Sequence, residues 1–268
     1  MNKKNLEEAY KILSELKEQI IYKNRFFCKN NVLDRIREIS KQTQTILPVD
    51  TTLFRARIYT QGNDNIQQAY ARLLKNNIKL ATTFHGYNKE NSLAPIPNKV
   101  TAGRANPDYI SYLYTARDMY TALVEVKPRI ENEVSIATLK TLKDINLTKV
   151  TSFPCEEKKT VNFYLQLLIG FEFANVANNQ SKDYIFTQFL SELYKDEGYD
   201  AIEFKSSLNK NGRNITIFDP NMCDAIASEI YKVDNIYITA LCDDINQKGN
   251  LVPPQMMGLP FNLIKRNS

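Results

Sequence analysis

Apolar residues recur at steps of three and four along several stretches of the chain, which is the period of an α-helix. The first stretch, residues 5 to 22, has an apolar face opposite a face of mostly lysine and glutamate. The apolar face consists of Leu6, Tyr10, Leu13, Leu16 and Ile20. A second predicted helix begins at Asn31, a residue type that caps helix N-termini well. Further helices are predicted over residues 66–74, 162–174 and 184–194.

Strict alternation of apolar and polar residues predicts β-strands between these helices. In residues 53–59 the alternation puts Arg55 and Arg57 together on one face, opposite an apolar face. Gly198 has the position of a helix C-cap, and Asn211 begins an Asn-Gly turn between two further strands. The other predicted strands cover residues 110–115, 134–139, 202–206 and 215–217, with residues 42–48 as a connector and 221–268 adding strands or covering the sheet.

Residues 100 to 128 carry most of the candidate chemistry. Gly103 lies in a Gly-Arg-Ala-Asn-Pro turn, and a tyrosine-rich strand follows it. Asp118 is a predicted cap for a short helix from Met119 to about Val126, and Glu125 lies beside the apolar face of that helix. Because burying an unpaired charge is costly, a carboxylate in this position indicates a functional role.

Composition narrows the class of protein. Hydrophobic residues make up 43% and charged residues 24% of the 268, which is typical of a soluble globular protein. The net charge of +5 comes from scattered lysines and arginines, which does not favour a nucleic-acid-binding surface. The four cysteines lack metal-binding spacing, and we find neither a signal peptide nor a membrane span, so we expect a soluble cytoplasmic protein. The single histidine, His85, falls in a predicted loop and is expected to be structural.

Several motifs in this order resemble the RES-domain family, which is named for an arginine, a glutamate and a serine. They are GRANP, SYLYTA, TALVEV, the Y-x-x-T-Q pattern of residues 184–188, and GYDAIEFKSSLNKNGRNITIFDP. The resemblance covers roughly residues 51 to 220. It implies an α+β fold with an ADP-ribosyltransferase-like split β-sheet core and flanking helices. The expected organisation is an N-terminal helical extension (1–48), a RES domain (49–220) and a C-terminal extension packing on the core (221–268).

The resemblance also implies which residues bind the substrate, NAD. Arg55 matches the family's arginine after an aromatic residue, and Arg104 matches the arginine of its turn; both suit a diphosphate, because guanidinium groups bind phosphate oxygens in pairs. Arg57 remains an alternative to Arg55. Tyr114 matches a tyrosine that could stack on the nicotinamide or adenine, whereas Tyr112 is expected in the core.

The catalytic residues implied by the resemblance are Glu125, Arg55 and Ser206, without a metal ion. Glu125 would stabilise the positive charge that grows at C1′ of the ribose, as carboxylates do in sugar cleavage. Ser206 would hold a ribose or the nicotinamide and so also counts among the NAD-binding residues. Ser207 is an open alternative. Because neighbouring residues of a strand point to opposite faces, only one of the two serines can line the site.

The function implied is that of an NAD-consuming toxin, which cleaves the nicotinamide–ribose bond by hydrolysis or phosphorolysis and arrests growth. Its partner would be a cognate antitoxin of the helix-turn-helix type, with nucleic acid contacted only through that antitoxin, no membrane contact, and a homodimer possible. Two alternatives remain: an ADP-ribosyltransferase that modifies a protein, and a non-catalytic nucleotide- or RNA-binding module. The acceptor of the ADP-ribose stays open.

Overall fold

The structure is a computed structural model that describes residues 3–26, 28, 31–60, 83–150, 159–175, 181–236 and 261–265. The helix predicted over residues 66–74 lies outside the described residues. The described helices are α1 (Lys3–Glu18, continued by a π-helical turn over Gln19–Lys23), α2 (Asn31–Gln42), α3 (Lys89–Ser92), α4 (Met119–Glu125), α5 (Val161–Ala174) and α6 (Ile185–Asp196). None of them is long and apolar enough to cross a bilayer.

The described strands form one mixed sheet in the order β1-β5-β6-β7-β3-β2-β4-β8-β9. Every neighbouring pair is antiparallel except β5 and β6, which run parallel. Their bounds are β1 (Gln44–Leu47), β2 (Thr52–Ile58), β3 (Leu113–Ala116), β4 (Glu133–Thr141), β5 (Ile145–Lys149), β6 (Ala201–Lys205), β7 (Arg213–Ile217), β8 (Cys223–Ile236) and β9 (Phe261–Lys265).

The sheet is split between β2 and β3. Only one residue pair, Phe54 with Ala116, joins these two strands, whereas β2 pairs with β4 along its full length. One half of the sheet therefore consists of β1, β5, β6, β7 and β3, and the other half consists of β2, β4, β8 and β9. The α+β class and the split sheet expected from the sequence are confirmed.

The N-terminal helices pack on the main domain. Leu16 of α1 and Ile36 of α2 are fully buried in one cluster with Leu165 and Phe173 of α5 and with Phe204 of β6. Most of these apolar positions are the ones that the three- and four-residue steps predicted, but Tyr10, expected on the apolar face of α1, is 64% exposed. The two helices therefore share a core with the sheet.

Helix α4 begins as expected and packs on the second half of the sheet. The carboxylate of Asp118 accepts a hydrogen bond from the backbone N–H of Thr121 at 2.7 Å, which confirms the predicted cap. Leu123 is fully buried with Ala56 of β2 and Ala116 of β3. The helix thus lies across the split.

The prediction of a connector over residues 42–48 is wrong. Residues 44–47 form β1, which pairs antiparallel with β5 about a hundred residues later in the chain. The predicted strand over residues 110–115 is shorter and later than expected, because only Leu113–Ala116 pairs with β7. The tail does add strands, namely β8 and β9. β1 belongs to the predicted N-terminal extension, and β8 and β9 belong to the predicted C-terminal extension, so both extensions contribute strands to the sheet. The division of the chain into three segments stays a prediction.

We predict that Gly198→Ala lowers the free energy of unfolding by about 1 kcal/mol, because Gly198 has φ +85°, where a Cβ atom is strained. A Cβ there meets no atom within 4 Å, so the loss reflects backbone strain alone. Urea unfolding measures it. Gly198→Asn is the control and should lose less, since asparagine tolerates this conformation; equal midpoints for all three proteins would contradict the prediction.

Candidate active site

A cavity of about 370 Å³ lies along the split between β2 and β3. That volume falls within the range of small-molecule sites. The two strands, the GRANP turn, the end of α4 and the β6–β7 region all contribute to its wall. The lining residues are Phe54, Arg55, Ala56, Gly103, Arg104, Tyr114, Thr115, Ala116, Ala122, Glu125, Val126, Lys127, Tyr184, Phe204, Leu208 and Asn214.

Arg55 lines this cavity and Arg57 does not. Nη1 of Arg55 donates to the carbonyl of Ser92 at 3.3 Å, and Nη1 of Arg57 donates to the carbonyl of Asn91 at 2.6 Å while its guanidinium lies 4.7 Å from the ring centre of Tyr87. Neither arginine forms an ion pair with a carboxylate among the described residues. The geometry therefore favours Arg55 over Arg57 as the ligand-binding arginine.

The electrostatic environment of Arg55 favours an anion. Burial, followed by the positive charge of Arg57, lowers the pKa of Arg55 to about 10. The guanidinium still carries its charge at neutral pH, but this charge is less stable than in water. A bound anion would relieve both the desolvation and the repulsion between the two arginines.

Arg104 projects from the GRANP turn into the same cavity. Its guanidinium lies 5.5 Å from the ring centre of Phe204, and it has no hydrogen bond or carboxylate partner within the described part of the chain. Since a planar guanidinium matches two phosphate oxygens at once, Arg55 and Arg104 together suit a diphosphate.

Helix α6 holds the GRANP turn through the Y-x-x-T-Q pattern. Oγ1 of Thr187 donates to the carbonyl of Arg104 at 2.6 Å. Nε2 of Gln188 donates to the carbonyls of Gly103 at 2.8 Å and Asn106 at 3.0 Å. The first residue of the pattern, Tyr184, lines the cavity. The pattern therefore fixes the backbone that carries Arg104.

Tyr114 supports the turn with its hydroxyl and lines the cavity. The hydroxyl donates to Oδ1 of Asn106 at 2.6 Å and accepts from the N–H of Ala105 at 2.9 Å. Burial raises its pKa to about 12, so the proton that reaches Asn106 is retained at neutral pH. Stacking on a base remains a prediction for Tyr114. Tyr112, by contrast, is 3% exposed in the core, as expected.

Glu125 ends α4 at the cavity wall with one oxygen held in place. Its Oε1 accepts from Oγ of Ser206 and from Nδ2 of Asn214, both at 2.7 Å. Two donors fill the usual capacity of a carboxylate oxygen. Oε2 has no hydrogen bond to any described residue, so this oxygen is available to a ligand.

The structure brings Ser206, and not Ser207, to Glu125. Ser206 is 6% exposed and contacts the carboxylate, whereas Ser207 is exposed to solvent. Ser206 does not itself line the cavity. Its direct contact with a ribose or nicotinamide therefore stays a prediction, as do the roles of the other site residues.

Sequence reasoning missed two residues of this site. Asn214 is a polar residue within β7, and only the pairing of β7 with β3 and β6 reveals that it faces Glu125. Lys127 lines the cavity with φ +47°, just after α4, where glycine is the usual residue. The Glu-Val-Lys-Pro sequence could have indicated Lys127 through its charge beside the glutamate. His85 does not line the cavity; its backbone N–H donates to the carbonyl of Ser228.

Within the described residues, no three His, Cys, Asp or Glu side chains come together in a way that could hold a metal ion. Among the described residues that line the cavity, the charged groups are mainly cationic: three cations, Arg55, Arg104 and Lys127, share the wall with one carboxylate, Glu125. These residues fit an anionic organic ligand.

Comparison with known protein families identifies the class of this protein. The model of the RES domain family matches residues 70–237, which is more than half of the chain, so the chain belongs to the RES domain family. The match includes Arg104, Tyr114, Glu125 and Ser206, while Arg55 lies before its start. The resemblance noted in the sequence is thereby confirmed.

Among solved structures, the chain is similar to one in the crystal structure of the MbcT–MbcA toxin–antitoxin complex of M. tuberculosis. The two share 12% sequence identity with a TM-score of 0.44, over 76% of this chain and 93% of the other. A similarity at this level carries no argument about function. No match was found among curated proteins.

We predict that pyrophosphate binding depends on Arg55 and not on Arg57. At about ten times its Kd, pyrophosphate should stabilise the wild type by about 1.4 kcal/mol and raise Tm by roughly 3 °C. Arg55→Gln should lose most of this rise without being less stable in the absence of pyrophosphate, because it removes a desolvated charge. Arg57→Gln is the matched control and should keep the rise in Tm. If Arg55→Gln kept this rise and Arg57→Gln lost it, Arg57 would be the arginine that binds pyrophosphate.

We also predict that Gly103→Ala disturbs the site through the GRANP turn. A Cβ at this position would lie 2.7 Å from Oδ1 of Asn106 and 2.8 Å from the hydroxyl of Tyr114, so either these two hydrogen-bonded side chains or the turn must shift. The expected loss in urea unfolding is about 2 kcal/mol, typical of overpacking, together with a weaker pyrophosphate response. Gly198→Ala serves as control because it loses stability away from the cavity, and its pyrophosphate response should stay normal.

Proposed function

We propose that this protein is an NAD-consuming toxin that breaks the bond between nicotinamide and ribose and transfers the ADP-ribose to water or phosphate. The observation that carries the proposal is the make-up of the cavity wall. Among the described residues, this wall has a single carboxylate with one oxygen available, together with two arginines that have no carboxylate partner. Membership of the RES domain family supports the same reaction.

A single carboxylate suits the cleavage of an N-glycosidic bond to a pyridinium. Glycosidases that cleave C–O bonds need a second carboxylic acid, because their leaving oxygen must be protonated. When the C1′–N bond of NAD breaks, both electrons pass to the ring nitrogen, and nicotinamide leaves as a neutral molecule without a proton. Glu125 would be needed only to stabilise the positive charge on the ribose.

The position of Glu125 agrees with that role. With Oε1 held by Ser206 and Asn214, Oε2 can hydrogen-bond a ribose hydroxyl and lie beside C1′ as positive charge develops there. Charge stabilisation by a group that is already oriented needs no reorganisation during the reaction. Water or phosphate then forms the new bond to C1′; water gives up a proton to solvent as it does so.

Arg55 and Arg104 would bind the diphosphate that joins the two halves of NAD. Their charges are incompletely compensated in the folded protein, and a diphosphate supplies the missing negative charge. The ring of Tyr114 at the cavity wall would pack on a base. Binding energy from these remote groups would place the ribose against Glu125.

A protein partner belongs to the same proposal. Uncontrolled consumption of NAD would arrest the cell that makes this enzyme, so the activity requires an inhibitor. The family implies an antitoxin of the helix-turn-helix type that blocks the cavity, with both proteins in the cytoplasm. Expression of the protein without its antitoxin should lower cellular NAD, and growth arrest with unchanged NAD would count against this function.

We predict that purified protein releases nicotinamide from NAD and that Glu125→Gln lowers the rate about 100- to 1000-fold, since the amide lacks the negative charge that opposes the growing cation. Chromatography of the products measures it. ADP-ribose indicates water as the acceptor, and a phosphorylated ADP-ribose indicates phosphate.

The matched control is Glu38→Gln, an exposed glutamate of α2 away from the cavity, which should keep full activity. An inactive wild type, tested with phosphate and with cell lysate as sources of acceptor, would refute nicotinamide release and favour a nucleotide-binding role. Release that requires a protein in the lysate would favour the ADP-ribosyltransferase alternative.

A further inference from the structure

The hydrogen bonds around Ser206 use its whole bonding capacity. A serine hydroxyl has one proton to donate and two lone pairs to accept with. Oγ of Ser206 accepts from the backbone N–H groups of Leu208 at 3.1 Å and Asn209 at 3.0 Å, and it donates to Oε1 of Glu125 at 2.7 Å. With both lone pairs occupied, the hydroxyl proton has one destination, and that is Glu125.

The side chain of Asn209 continues this network in a fixed direction. Its Oδ1 accepts from the N–H of Asn211 at 3.3 Å, so its Nδ2 faces the other way and donates to Oγ1 of Thr121 at 2.8 Å. Thr121 is fully buried, and its own proton goes to Oδ2 of Asp118 at 2.7 Å. Because an ionised carboxylate can only accept, every hydrogen bond in the series has one possible direction.

Together with helix α4, these hydrogen bonds form a closed ring through Thr121, Asn209, Ser206 and Glu125. Thr121 and Glu125 are four residues apart and therefore lie on the same face of the helix. Asn209 binds Thr121 through its side chain and Ser206 through its backbone, and Ser206 binds Glu125. A Cβ at Gly212 would lie 2.4 Å from Oγ1 of Thr121, so the turn after β6 is seated closely on the helix.

We propose that Asn209 and Thr121 are positioning residues that hold Ser206 as a donor to Glu125, so that this serine acts on the carboxylate and not on the substrate. The catalytic consequence of this inference depends on the proposed function. A displacement of a reacting group by about 1 Å can cost about 100-fold in rate, so orienting Glu125 is a sufficient role for a serine that does not line the cavity.

The kinetic test compares Ser206→Ala, Asn209→Ala and the double variant in nicotinamide release. Ser206→Ala should lower kcat about 10- to 100-fold and change KM less than about twofold, and Asn209→Ala should lower kcat about fivefold. In the Ser206→Ala background, Asn209→Ala should change kcat less than about twofold, because residues that act through one another are not additive. Ser207→Ala is the matched control and should behave as wild type.

Two substitutions of Thr121 distinguish the effect of its hydroxyl group from the effect of its side-chain shape. Thr121→Val keeps the branched shape but loses both the acceptor for Asn209 and the donor to Asp118, so kcat should fall at least as far as in Asn209→Ala. Thr121→Ser restores the hydroxyl and should return kcat to within about twofold of wild type. A rise in KM of about tenfold or more in Ser206→Ala at unchanged kcat, or independent effects of Ser206→Ala and Asn209→Ala, would overturn the proposal.

Urea unfolding of the same proteins tests the ring without any substrate. Ser206→Ala and Asn209→Ala should each lower the midpoint, and the double variant should unfold close to the less stable single variant. Shifts that add would refute the ring whether or not the protein is active. If the wild type released no nicotinamide, the proposed function would fail, and the unfolding comparison would still decide this inference.

Discussion

The single residue pair between β2 and β3 is the constraint on which the site depends. Consecutive residues of a strand point to opposite faces, yet Phe54, Arg55 and Ala56 all line one cavity, because the two half-sheets separate beyond the one pair that joins them, Phe54 with Ala116. Helix α4 follows β3 directly in sequence but packs on β2, so it spans the two halves. The split thus supplies both the space for a ligand and the route by which Glu125 reaches it.

The charges in this space make the folded protein less stable than it could be. Arg55 lies at the cavity wall with its charge disfavoured by burial and by the nearby Arg57. Lys127 adds another cation to this wall in a left-handed conformation that a lysine adopts only at some cost. Unfavourable features of this kind tend to occur at functional sites, where a ligand relieves them. A diphosphate relieves the electrostatic part here, which is why these cations favour an anionic substrate over a purely structural role.

The parts of this arrangement that depend on local sequence could be predicted, and those that depend on distant pairing could not. Asp118 precedes one short helix and Glu125 ends it, so both the N-cap and the charge beside the apolar face could be identified in the sequence. The four-residue strand β1 pairs with β5 from about a hundred residues away, and its four residues, two polar and two apolar, are too few to indicate that pairing. Asn214 was missed for the same reason, since the partner that explains it, Glu125, is 89 residues distant.

The turn after β6, and not the face of a strand, determines that Ser206 and not Ser207 contacts Glu125. The sequence argument placed the two serines on opposite faces of a strand, but β6 ends at Lys205, so that alternation does not extend to them. What distinguishes Ser206 is that its N–H donates to the carbonyl of Gly212 and that two turn N–H groups converge on its Oγ. The backbone thereby fills the lone pairs of this one hydroxyl and directs its proton to Glu125.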